Sequence, residues 1–220
     1  ARKILIVLAY LALALGLCGC SLETSAENLF TLPQVPVEYT GLANTLNTYL
    51  ESGYEYITPS SGNNIQSLQM IDMDGDGEKE AVAFFRHTAD DNPLKILFFR
   101  EENGTFSLYS TIESGGSSID SVSFRDFNGD GRLEVVVGWR VSMDLQALAV
   151  YSLEPDGARE LMRTNYVKYA VADLNKDGKR ELTVLRANQD GEGVADCYVS
   201  KNGVLTLRSS VLVSMTMAEL

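Results

Sequence analysis

One acidic pattern constrains this chain more than any other feature, because it occurs three times and each copy runs straight into an apolar segment. The copies are Asp72-Met73-Asp74-Gly75-Asp76-Gly77-Glu78-Lys79-Glu80, Asp126-Phe127-Asn128-Gly129-Asp130-Gly131-Arg132-Leu133-Glu134 and Asp173-Leu174-Asn175-Lys176-Asp177-Gly178-Lys179-Arg180-Glu181. Ala81–Phe85, Val135–Val137 and Leu182–Leu185 follow them. Side-chain oxygens at positions 1, 3 and 5 of such a turn point into one concave centre. Calcium is a hard cation that takes about six to eight oxygens at roughly 2.3–2.6 Å.

The pattern therefore predicts up to three calcium sites. Their ligands are Asp72, Asp74, Asp76 and Glu80; Asp126, Asn128, Asp130 and Glu134; Asp173, Asn175, Asp177 and Glu181. The backbone carbonyls of Glu78, Arg132 and Lys179 at position 7 complete each set. Position 6 is always glycine (Gly77, Gly131, Gly178), where a sharp turn makes a Cβ costly. An EF-hand loop would need a bidentate Glu at position 12. That place holds Ala83, Val137 or Val184, and the acid sits at position 9 instead. Asp-Asn-Gly clusters also make plain tight turns; agreement of three copies at positions 1, 3, 5, 6 and 9 favours the metal. Charge counting orders the affinities as first loop, second, third, because the second and third each replace an acid by Asn and the third carries Lys176, Lys179 and Arg180.

The flanks read as strands. Alternating Leu68 and Met70, Val122 and Phe124, and Val167, Tyr169 and Val171 precede the loops, and β-branched runs follow them. A second apolar run comes next in each unit: Leu94–Phe99, Leu145–Tyr151, Ala195–Val199. Turns at Glu102-Asn103-Gly104, Glu154-Pro155-Asp156-Gly157 and Lys201-Asn202-Gly203 lead to last strands at Thr105–Thr111, Arg159–Arg163 and Val204–Ser209. Asp72 to Asp126 is 54 residues and Asp126 to Asp173 is 47, a period that suits four strands per unit. The expected class is all-β: about three four-stranded propeller blades, near residues 64–117, 118–164 and 165–213, forming a partial propeller over 64–220. Residues 211–217 are a candidate start of a fourth blade, and the small blade number suggests a truncated chain over an oligomeric ring.

Ahead of the blades, residues 38–63 form a lead-in with one short helix at 40–52. Leu42, Leu46, Tyr49 and Leu50 share a face, Thr40 is the expected N-cap and Gly53 the stop. The helix is expected to pack on the first β unit.

Residues 1–20 carry Arg2-Lys3, an apolar run Ile4–Leu17 and Cys18-Gly19-Cys20. This is the layout of a secretory signal, and the run is shorter than a membrane span needs. Leu17-Cys18-Gly19-Cys20 is similar to a bacterial lipobox, which makes Cys20 the expected lipid anchor. Residues 21–37 read as a tether with Pro33 and Pro36, able to span at most about 60 Å. Removal of Arg2 and Lys3 with the leader takes the net charge from −12 to −14, which argues against nucleic acid as a partner. Cys197 then has no intrachain partner, and a small core residue is its expected role.

The triplicated loop running into a β segment resembles the FG-GAP / VCBS-like repeats of integrin-α-type β-propellers. With lipobox, short helix and Gln69-Met70-Ile71-Asp72 leading into the first loop, the layout looks like FG-GAP lipoproteins of Gram-positive gut bacteria. The resemblance implies structural calcium and a place on the extracellular face of the cell membrane. The literal Phe-Gly…Gly-Ala-Pro signature is absent.

Catalytic signals are weak. His87 is the only histidine and reads as a strand-end residue, and Trp139 as a core or rim aromatic. Arg86, Arg140 and Arg186 recur after the apolar runs as candidates for structural ion pairs. Asp90, Asp91 and Asp120 offer no convincing acid pair. The expectation is therefore no enzyme but a calcium-binding, lipid-anchored surface module. It would act in binding or adhesion, with a protein or glycan ligand, or as an envelope scaffold. The alternative is a propeller-type enzyme acting on extracellular glycans.

Overall fold

The computed structural model describes residues 39–188 and 190–214. The signal segment 1–20 with Cys20, the tether 21–37 and residues 215–217 of the supposed fourth blade lie outside the described residues.

Among the described residues the fold is one short helix followed by three antiparallel sheets. Helix α1 covers Thr40–Glu51. The first sheet holds β1 (Glu55–Tyr56), β2 (Leu68–Ile71), β3 (Glu80–Arg86), β4 (Leu94–Glu102) and β5 (Thr105–Ser114). β1 and β2 share one edge of β3 end to end, opposite Phe85–Arg86 and Glu80–Ala83. The sheet is therefore four strands wide with a split edge, and it reaches back into the expected lead-in. The second sheet runs in chain order through β6 (Ser118–Arg125), β7 (Glu134–Arg140), β8 (Gln146–Glu154) and β9 (Gly157–Asn165). The third runs through β10 (Lys168–Ala172), β11 (Glu181–Ala187), β12 (Gly193–Lys201) and β13 (Val204–Val213). These are the up-and-down blades of a partial β-propeller. Val211–Val213 finish β13 and pair with Gly193–Ala195, so they close the third blade and do not open a fourth.

Period-2 alternation gives each strand two faces, and both faces of β3 and β7, inside the first two sheets, are buried. Leu42 and Leu46 of α1 cover Ala81, Ala83, Phe85 and Phe99 on one side of the first sheet. Its other side, with Val82, Phe84 and Phe98, packs on Val135, Val137 and Trp139 of the second. The far side of the second sheet, with Val136 and Val150, meets Leu182, Val184 and Leu205 of the third. Each fully buried aliphatic or aromatic side chain in these layers contributes roughly 1.5–3 kcal/mol. Trp139 is fully buried between two sheets, as a core aromatic should be.

The turns follow their residues. Asn103-Gly104 and Asn202-Gly203 both adopt positive φ, the two-residue hairpin that Asn-Gly favours. Near these turns the register shifts at one equivalent place in every blade, after Phe98, Val150 and Cys197. The residue left over is Tyr109, Leu161 or Arg208.

Two local expectations are corrected. Tyr39, not Thr40, occupies the N-cap of α1, and its side chain makes no capping hydrogen bond; the helix gains its stability from packing. Cys197 is half-buried and outside the core, because it alternates with the inward Tyr198 and so falls on the third sheet's other face.

Candidate metal centre

Each acidic turn bridges the first two long strands of its blade and is built alike in all three copies. The position-1 carboxylate accepts backbone N–H bonds across the turn: Asp72 from Gly75 and Gly77, Asp126 from Gly129 and Gly131, Asp173 from Asp177 and Gly178, at 2.7–3.2 Å. The position-5 carboxylate accepts the N–H of position 7 at 2.8 Å, in Asp76–Glu78, Asp130–Arg132 and Asp177–Lys179. The position-9 acids Glu80, Glu134 and Glu181 are buried, and each accepts the N–H of position 2 at 2.8–2.9 Å. Positions 4 and 6 need a left-handed backbone. Gly75, Gly77, Gly129, Gly131 and Gly178 supply it, whereas Lys176 adopts φ 62° at some cost.

The first loop brings oxygens of Asp72, Asp74 and Glu80 within 4.8 Å of one another. Two ligands on opposite sides of a calcium ion stand about 4.6–5.2 Å apart, so one ion fits among them. Asp74 Oδ1 is buried and accepts no hydrogen bond, so it has lone pairs free to ligate. Asp76 lies outside this trio and accepts the Glu78 N–H through Oδ1, as Asp130 and Asp177 do in their own turns. In the second and third loops the position-3 amide sits among the acids. Asn128 Nδ2 donates to Asp130 Oδ2 at 2.9 Å and Glu134 Oε1 at 3.5 Å; Asn175 Nδ2 donates to Asp177 Oδ2 at 3.0 Å and Glu181 Oε1 at 2.8 Å. The position-5 and position-9 oxygens of both loops thus gather on the amide N–H, which donates and is no calcium ligand, while the Asn Oδ1 accepts the N–H of position 5. Among the described residues the first loop alone brings three acid side chains within 4.8 Å of one another.

Electrostatics separate the loops. Burial pushes the Glu134 carboxyl up to about 7, and the Asp130 and Asp126 charges add to that, against the lowering N–H bond from Phe127. Burial also raises Glu80, but there Arg100 opposes it. Arg100 Nη2 lies 2.6 Å from Asp74 Oδ2 and its Nε 3.3 Å from Glu80 Oε1, with the guanidinium over the Tyr109 ring at 4.7 Å. No local motif marks Arg100 as a partner of this turn. It stands twenty residues from Glu80 and only strand pairing brings it there; its one signal is its place just past the buried run Leu94–Phe99.

The first and second turns also touch. Leu133 N–H donates to the Met73 carbonyl at 2.8 Å, and a Cβ on Gly75 would lie 3.0 Å from the Gly131 carbonyl oxygen. A groove of about 250 Å³ runs beside both and is lined by Asp74, Arg100, Asn128, Asp130 and Glu134 among others.

The remaining candidates have structural partners. His87 stacks on Tyr54 and meets Asp90, and Asp90 also binds Lys95 at 2.8 Å. Arg140 pairs with Asp120 at 3.6 Å and Arg186 with the buried Asp196 at 2.6 Å. Arg86 donates to the Ser117 carbonyl. Asp120 also accepts the Tyr166 hydroxyl at 2.9 Å, and a Cβ on Gly138 would collide with that hydroxyl.

Residues 72–137, which span the first two loops, match the FG-GAP-like repeat, in agreement with the resemblance read from the loops. No curated protein matches the chain. Among solved structures, the chain is similar to the exotype rhamnogalacturonan lyase YesX, with 18% identity, a TM-score of 0.43, and coverage of 72% of this chain and 33% of the other. It is also similar to rhamnogalacturonan lyase PL11 of Bacillus licheniformis, with 16% identity, a TM-score of 0.40, and coverage of 72% and 35%. The chain thus spans about a third of the length of these structures.

Proposed function

We propose that this chain is a calcium-binding, lipid-anchored β-propeller module of the extracellular membrane face, serving in binding or adhesion or as an envelope scaffold. The observation that carries the metal is the approach of Asp72, Asp74 and Glu80 oxygens to within 4.8 Å of one another, with Asp74 Oδ1 buried and unpartnered. Calcium there would tie β2 to β3 through their connecting turn, and its counterparts would tie β6 to β7 and β10 to β11. Its role in this reading is to hold rigid the turns that present the rim, and the ligand on that rim is a protein or a glycan. Anchorage through Cys20 rests on the lipobox-like sequence, and the strongly negative charge supports a partner other than nucleic acid.

The reading includes no catalytic step. Asp90 pairs with Lys95 and His87, and Asp120 with Arg140 and Tyr166, which supports reading both as structural carboxylates.

Thermal unfolding in calcium and in chelator tests the metal. An ion at 100 times its dissociation constant adds about 2.7 kcal/mol, and extracellular sites work at roughly 10⁻⁴–10⁻³ M. A calcium-dependent rise in Tm that magnesium does not reproduce is expected; identical curves in calcium and chelator would remove the reading.

A further inference from the structure

The three turns share a ligand pattern but not their surroundings. The last register pairs before the turns are Ala81 with Phe99, Val135 with Tyr151 and Leu182 with Tyr198. One step further along each ladder, the position-9 acid stands opposite Arg100, Ser152 or Val199. The bulge residue of the outer strand adds Tyr109, Leu161 or Arg208. Blade one therefore places a guanidinium directly on two of its expected ligands, Asp74 and Glu80. Blade three brings Arg208 to 3.9 Å from Glu181 Oε1, more loosely and more exposed. In blade two, Asp126, Asp130 and Glu134 have no Lys or Arg partner among the described residues; nearby Arg159 is engaged by Glu154.

Resting on the calcium reading above, we propose that Arg100 is a tethered counter-ion that competes with calcium for the first turn, so that the second turn fills first. The guanidinium is positioned for this by two contacts: it bridges Asp74 Oδ2 and Glu80 Oε1, and it lies on the face of Tyr109. A divalent ion entering beside it must either displace the guanidinium or share the carboxylates with a like charge a few ångströms away. Both costs fall on the first turn alone in this form. Counting acids puts the first turn ahead; counting the cation already present reverses the first two. Arg100 then sets a calcium threshold: at low calcium the first turn is held shut by arginine, and at higher calcium by the ion.

Calorimetric titration of calcium into metal-stripped protein tests this with four chains: wild type, Arg100→Met, Arg100→Lys and Asp126→Ala. The tightest binding event of the wild type should vanish in Asp126→Ala. Arg100→Met should tighten a second, weaker event by about tenfold, the effect of removing one like charge from a partly exposed site. It should also lower Tm in chelator while leaving Tm in saturating calcium near that of the wild type. Arg100→Lys retains the charge and should stay within about twofold of wild type, which separates competition from lost packing. Calcium binding that persists with unchanged affinities in Arg100→Met, or a tightest event that survives Asp126→Ala, would overturn the inference while leaving the calcium reading intact. Absence of calcium binding by every chain would overturn both.

Discussion

The second residue of the acidic turn is apolar in all three copies, yet its surroundings differ sharply. Met73 is 3% exposed and Phe127 1%, whereas Leu174 is 62% exposed. Met73 joins the core between the first and second sheets and Phe127 the core between the second and third. Among the described residues no sheet lies beyond the third, and Leu174 has nothing to pack against. Each turn thus has two jobs: its carboxylates close the turn internally, and its apolar second residue keys the turn to the next blade. The first job is encoded locally and is carried out in all three copies. The second depends on a neighbour.

Truncation of the second residue carries the largest expected effects. Phe127→Ala should cost about 3–5 kcal/mol and Met73→Ala about 2–5 kcal/mol, while Leu174→Ala should stay within about 0.5 kcal/mol, all read from urea unfolding midpoints. A cost for Leu174→Ala as large as for Phe127→Ala would mean that the third turn is buried in solution.

The next effect is one of pH. Glu134 has a folded carboxyl raised to about 7, so its contribution to metal-free stability is present below the unfolded carboxylate value near 4.3 and is lost as pH rises through about 7. In chelator, the wild type should lose on the order of 2 kcal/mol between pH 4.5 and 7.5 relative to Glu134→Gln, a figure reduced from the full linkage value to allow for solvent screening. Calcium should restore that stability above pH 7, because the ion takes the place of the proton. Parallel pH profiles for wild type and Glu134→Gln would contradict this.

The smallest effect sharpens the turn comparison at its fourth position, where Gly75 and Gly129 face Lys176 at φ 62°. Lys176→Gly should stabilise by less than about 1 kcal/mol, since relief of left-handed strain is partly offset by unfolded-state entropy. Gly129→Ala should destabilise by about 1 kcal/mol. Both are measurable as shifts in Tm.

Much of this molecule was legible in its sequence for a physical reason. Acid spacing within a turn and alternation within a strand are short-range patterns, so Asp72, Asp126 and Asp173 announced the turns, and Val135–Val137 the strands behind them. The face of α1 was likewise visible, because Leu42, Leu46, Tyr49 and Leu50 follow helical spacing and pack on the first sheet. What was illegible depends on register between distant segments. Nothing near Glu80 marks Arg100 as its partner, nothing near Asp120 marks Tyr166, and the two-residue strand β1 is too short to carry a pattern.

Equilibrium dialysis of the stripped protein against about 1 mM calcium, the upper end of the extracellular range, is the most direct test of the claim that these turns are metal sites. The wild type should retain calcium, and Asp72→Ala, Asp126→Ala and Asp173→Ala should each release one ion while remaining folded. Undiminished calcium retention by a variant carrying all three substitutions, or no retention by the wild type, would show that the turns are not metal sites.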